Sequence, residues 1–238
     1  MTIRRIFGDF SAQHSRADYL LTVLTALVAL LMFVIEPLRA AGIEALDVAG
    51  GLIALAIVFG TLLLSANLIA SISMFVAFTI TIWMIVLRLM GTPASELHIF
   101  LMAVAWFILS LSLGWPVARA VFAPGRITYH RIIGAILLYL LVSTIFVSLF
   151  TFVGLLFPNS FSGLTFSDGP ALPSGLSYFS IVTLTTVGYG DILPIHPIAR
   201  SLSNLESIVG QFYTATLLAR LVTLHSEDRK TETASSSE

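Results

Sequence analysis

Thr185-Thr186-Val187-Gly188-Tyr189-Gly190-Asp191 is the stretch that decides how this chain is read. Gly188 and Gly190 alternate with larger residues, and glycine adopts left-handed backbone angles without steric cost. A chain that alternates between left- and right-handed conformations turns successive carbonyls to one side. Carbonyls aligned in this way repel one another and require a cation. Thr186, Val187, Gly188 and Tyr189 would supply four carbonyl oxygens, and the Thr186 hydroxyl a further layer. Four copies around an axis would replace the water shell of a dehydrated ion. A plain glycine-rich turn is the simpler reading of so short a motif.

The flanks argue against a plain turn. Pro173, a residue suited to the first turn of a helix, precedes a short apolar stretch at 174–184. A brief polar link follows the motif, and then a long apolar segment from Ile198. Half-helix, glycine loop and full helix make a pore-loop unit. These residues resemble the selectivity filter of the tetrameric potassium-channel family over about 132–224, with Thr-Val-Gly-Tyr-Gly-Asp as the most specific part. The resemblance implies a homotetramer around a central pore, with potassium ions held at Thr186, Val187, Gly188 and Tyr189 and no other cofactor.

Composition places the chain in a lipid bilayer. It is 57% hydrophobic and 11% charged, where a soluble domain carries about 25% charged residues. Mean hydropathy is +0.97. The net charge of −1 gives no basic field for nucleic acid. With no cysteine there is neither a disulfide nor a thiolate metal site. No HExxH pair and no acidic cluster within the spans points to an enzyme, so a non-enzymatic protein is expected.

The expected fold is an all-α membrane protein of six transmembrane helices plus the half-helix and filter loop. A polar, basic arm at 1–17 precedes a first span at 18–35, closed by Glu36-Pro37. The apolar run at 48–89 is about twice the ~20 residues a bilayer needs. It is divided at Ser65-Ala66-Asn67 into spans at 48–64 and 68–89. Gly91-Thr92-Pro93 breaks the chain before a fourth span at 96–117. A basic link at 118–131 leads to a pore domain at 132–224, with full spans at 132–156 and 198–224. The polar tail at 225–238 is expected to be disordered.

Charge gives the orientation. Six spans put both termini on one side, together with Arg4, Arg5, Arg16, Arg119, Arg126, Arg131, Arg220, Arg229 and Lys230, nine of the twelve basic residues. The positive-inside rule makes that side cytoplasmic. The expected location is the plasma (inner) membrane, with the filter opening outside.

Several residues acquire roles from the resemblance. Thr185, Asp191, Tyr178 and Phe179 would support the filter, the aromatics as a cuff with Tyr189, and Asp191 by bonding Tyr178. Val182 stands where some family members carry a glutamate behind the filter. Gly210, twenty residues after Gly190, matches an inner-helix hinge; a close helix contact is the alternative, since small residues are common where membrane helices meet. Gln211, Thr214 and Leu218 share a helical face and match cavity-lining positions. Glu206, five residues before Gln211, lies about 140° from it around the helix. It should face the half-helix, where Ser180 and Thr183 could bond it and brace the filter. A carboxyl reaching external water beside Arg200 is the other possibility.

The resemblance fails at one point. Voltage-gated relatives carry regularly spaced arginines in the fourth span, and 99–117 holds no Lys or Arg. One charge crossing 100 mV yields only ~2.3 kcal/mol, so steep voltage gating needs many charges. Residues 18–117 therefore read as a sensor-like bundle without sensor chemistry, or as an unrelated bundle. His130, Arg131, His225, Glu227 and Asp228 gather at the cytoplasmic ends of two spans. They make either a proton-sensitive contact or a solvated charged rim.

Overall fold

The computed structural model describes residues 19–43, 46–64, 68–90, 95–122, 129–166, 169 and 171–235. The N-terminal arm, the turn at Ser65-Ala66-Asn67, the break at Gly91-Thr92-Pro93 and residues 123–128 of the basic link lie outside them. Among the described residues seven helices follow in order: α1 Tyr19–Ala40, then α2 Leu46–Leu64, α3 Leu68–Leu89, α4 Glu96–Phe122, α5 Tyr129–Leu156, α6 Ala171–Leu184 and α7 Pro197–Ser235. Two short strands, β1 Phe161–Ser162 and β2 Leu193–Pro194, pair antiparallel, Phe161 opposite Pro194. Among the described residues, α1, α4 and 131–156 of α5 are long and apolar enough to cross a membrane.

The helices depart from expectation at their ends. α1 does not stop before Glu36. Leu31–Ile35 forms a π-helical turn, and the helix continues through Pro37 to Ala40. Pro37 has no N–H to donate, and the widened turn before it accommodates that gap in the ladder. α4 runs past Val117 to Phe122 with Pro116 inside it. α6 starts at Ala171, which leaves Pro173 in the first turn, where a missing N–H costs nothing. The tail expected to be disordered is helical to Ser235. Its composition is polar, but Glu, Lys and Arg are good helix formers, and the ladder of α7 already provides the nucleus.

Packing joins the first four helices to the last three. Leu24 and Val28 of α1, Ile57 of α2, Leu113 of α4 and Leu137 and Leu141 of α5 share one buried cluster. α4 and α5 lie antiparallel, with Val121 against Gly134 and Gly114 against Leu138. Glycines let the backbones approach, and close van der Waals packing is what holds helices together in lipid. A second cluster, including Phe150, Phe161, Leu176 and Phe179, surrounds the half-helix α6.

Candidate functional site

The glycine loop expected to form the filter begins where α6 ends. Thr185 N–H bonds the Ile181 carbonyl at 2.9 Å, and Val187 N–H bonds the Val182 carbonyl at 2.9 Å. These bonds cap the half-helix and turn the chain back toward its axis. Thr186, Gly188 and Gly190 have φ of 60°, 55° and 81°, so every second residue is left-handed. Thr186 is β-branched, and such a residue in this region is strained. Its surroundings hold it there: Gln211 Nε2 donates to Thr186 Oγ1 at 3.0 Å, and Thr186 N–H bonds the Thr183 carbonyl at 3.0 Å.

The outer mouth is fixed by rings and by close backbone contact. Tyr178 and Tyr189 stack, with centroids 6.2 Å apart and planes 3° from parallel. The Asp191 carboxylate interacts with the Tyr178 hydroxyl. Phe179 does not join them. It is buried against Phe150 and Phe161, at 5.0 and 5.6 Å between centroids, so it anchors α6 to the outer helix instead of cuffing Tyr189. Tyr178 and Phe179 are neighbours about 100° apart around a helix, and only one of them can face the filter. Gly163 has a φ of +82°, and any Cβ there would strike the Asp191 carbonyl. The β1–β2 pair ties this segment to the chain leaving the filter.

Behind the filter lies a buried polar chain. Ser180 Oγ donates to Glu206 Oε1 at 2.5 Å, and Ser143 Oγ of α5 lies 2.8 Å from Ser180 Oγ. Glu206 is fully buried. Its Oε2 has no hydrogen-bond partner among the described residues. One turn later Gly210 sits so close to α6 that a Cβ would overlap the Leu184 carbonyl. The close-contact role of Gly210 thus has a geometric basis, and α7 passes through it unbroken. Ser207 Oγ donates to the Thr183 carbonyl at 3.2 Å, and Tyr139 OH to the Leu184 carbonyl at 3.3 Å.

The opposite face of α7 is open. Gln211, Thr214 and Leu218 are exposed on a single chain, as are Val187 and Tyr189 of the filter. Thr214 Oγ1 bonds the Gly210 carbonyl of its own helix at 3.0 Å. The side chains of His130, His225, Glu227 and Asp228 lie outside the described set. Ser143, Tyr139 and Ser207 escaped the sequence reading because serine and tyrosine in apolar helices carry no motif. Ser143 lies on the outer helix, 37 positions from Ser180, and only the fold brings them together.

Residues 134–227 match a family model described as ion channel, which is under half of the chain. No curated protein and no solved structure matches the chain. The matched segment contains the glycine loop, the half-helix and most of α5 and α7. This supports an ion channel domain and passive ion conduction, and with the apolar helices it supports a multi-pass membrane protein.

Proposed function

We propose that this chain is the subunit of a homotetrameric, potassium-selective channel that conducts passively across the plasma membrane, with six spans and both termini cytoplasmic. The observation that carries the reading is the left-handed backbone at Thr186, Gly188 and Gly190. Alternating handedness aligns carbonyls along one side, and a column of carbonyls from four copies replaces the hydration shell of a cation of fitting size. The C-terminal end of α6, carrying about half a negative charge, adds to the attraction. The exposed filter side chains and the exposed Ile208, Phe212 and Leu218 of α7 leave a face for neighbouring subunits and a pore. Residues 18–117 hold no row of arginines in the fourth span and serve another purpose than voltage sensing.

Flux from reconstituted vesicles tests this reading. Potassium should pass and sodium should not, and Tyr189→Asp should admit both. Equal sodium and potassium flux through the unaltered protein would identify a weakly selective cation channel, and no flux would identify a non-conducting subunit.

A further inference from the structure

A cavity of about 480 Å³ lies between the first four helices and α5 and α6. Its size lies within the range of small-molecule sites, roughly 300–1,000 Å³, which have apolar walls and few polar groups. Leu31, Met32, Ala54, Met102, Ala103 and Trp106 supply apolar wall. Glu36, Arg39, His98 and Ser177 lie toward the end where α1 finishes and α4 begins.

That polar end touches the half-helix. Ser177 Oγ donates to Glu36 Oε2 at 2.9 Å. Ser177 sits one turn before Ser180, on the element that ends in the filter. The π-helical turn at Leu31–Ile35 immediately precedes Glu36, and such turns concentrate at functional positions because they redirect the side chains that follow. Glu36 is the acidic residue of the cavity lining, and Arg39, one turn along, interacts with it electrostatically. The Arg39 guanidinium lies against Gly50 of α2. His98 Nδ1 accepts from the Ser95 N–H at 3.4 Å, and both cationic side chains have further partners.

We propose that this cavity binds an uncharged amphiphile, a molecule with one alkyl-like body and a hydroxyl or amide head. The body lies among Leu31, Met32, Met102 and Trp106. The head bonds the Glu36 carboxyl beside Ser177. The pair of Glu36 and Arg39 selects a neutral head: a charged head meets one attraction and one repulsion from them and still loses its hydration, whereas a hydroxyl bears neither the repulsion nor that desolvation cost. Because Glu36 already accepts from Ser177, occupancy alters a bond to the half-helix and so reaches the filter. Binding stands independently of the channel reading, whereas the effect on flux rests on it. The two are therefore measured separately.

Trp106 reports binding directly. Trp83 and Trp115 are 60% and 63% exposed, so any bromoalkane dissolved in lipid would quench them. In the full chain carrying Trp83→Phe and Trp115→Phe, Trp106 fluorescence is titrated with ω-bromododecanol, ω-bromododecylamine and ω-bromododecanoate. A head at the level of His98 leaves Trp106, eight residues on, about 12 Å deeper, within reach of the terminal bromine. The alcohol should quench saturably at a concentration about tenfold lower than either charged probe. Ala103→Phe should remove the saturable component. Glu36→Gln keeps a polar head partner but removes the acidic charge that repels a carboxylate head, so the carboxylate should gain about tenfold and overtake the alcohol. This exchange of preference does not depend on the filled variant folding. Linear quenching of the same strength by all three probes would mean partition into lipid, and it would overturn the proposal. So would a charged probe that binds the unaltered cavity as tightly as the alcohol, or saturable quenching that persists in a folded Ala103→Phe. On the channel reading, dodecanol should also change potassium flux, and Ser177→Ala should blunt the change. Saturable quenching without a change in flux would confine the site to binding and remove its link to the filter.

Discussion

Two carboxyl groups hold the same half-helix, and they do so from different surroundings. Glu206, from α7, bonds Ser180 at 2.5 Å and is fully buried. Glu36, from α1, bonds Ser177 at 2.9 Å at the edge of a cavity. The serines are one turn apart on α6. Behind Glu206 there is no spare room: Gly210 already touches the Leu184 carbonyl, and Ser143 closes the other side. Beside Glu36 there is room for a small molecule. One contact is therefore built as a fixed support within the pore domain, and the other as a contact that can change, placed where the first four helices meet the pore.

The filter backbone, which both contacts serve, should show the largest effect. Gly188→Ala is expected to abolish potassium conduction. Nothing within one chain stands within 4 Å of the added Cβ, so the cost lies in the left-handed backbone. That cost is about 1–2 kcal/mol per residue, and four subunits bear it together. Potassium flux in vesicles checks this, with tetramer recovery on a sizing column as the control for assembly.

The fixed support comes next. Glu206→Leu removes the bond to Ser180 but fills a similar volume. Hydrogen bonds between membrane helices reach about 1.7 kcal/mol, which is a factor of roughly eighteen. Selectivity for potassium over sodium should fall by up to that factor, with little change in thermal stability, since the unpartnered Oε2 is lost as well. Glu206→Gln retains an acceptor for Ser180 and should stay near the unaltered protein. Reversal potentials in mixed potassium and sodium solutions would show this, and equal values for the three proteins would remove Glu206 from the account.

The changeable contact should give the smallest effect. Ser177→Ala deletes a bond at a partly open site, worth on average about 0.6 kcal/mol or a factor of roughly three. Open probability in single-channel records should shift by about that factor while selectivity stays constant. A change in selectivity as large as that of Glu206→Leu would erase the distinction between the two contacts.

The sequence reading followed the same divide. The left-handed glycine loop, the half-helix and the direction of Glu206 were legible because each rests on local rules: glycine spacing, an apolar run and an angle of 100° per residue. The burial of Glu206 against Ser180 follows from that angle once Gln211 is set toward the axis. Glu36 was read as the end of a span, because a charged residue beside Pro37 marks a boundary in sequence. Its bond to Ser177 crosses 141 positions and depends on a π-helical turn that has no residue signature. Phe179 reads as a cuff residue in sequence because it adjoins Tyr178, and the 100° rotation that sends it to Phe150 becomes visible only once α5 is in place. The helical tail was hidden by composition, which weighs polarity and not the helix already running into it.

Thallium diffraction tests the central claim most directly. Thallium has nearly the radius of potassium and a strong anomalous signal. In crystals of the full chain grown with thallium in place of potassium, the account predicts a file of anomalous peaks on a four-fold axis, between the carbonyl layers of Thr186, Val187, Gly188 and Tyr189. Sodium should compete them away only weakly. A four-fold axis without peaks at those layers, or the absence of a four-fold assembly, would contradict it.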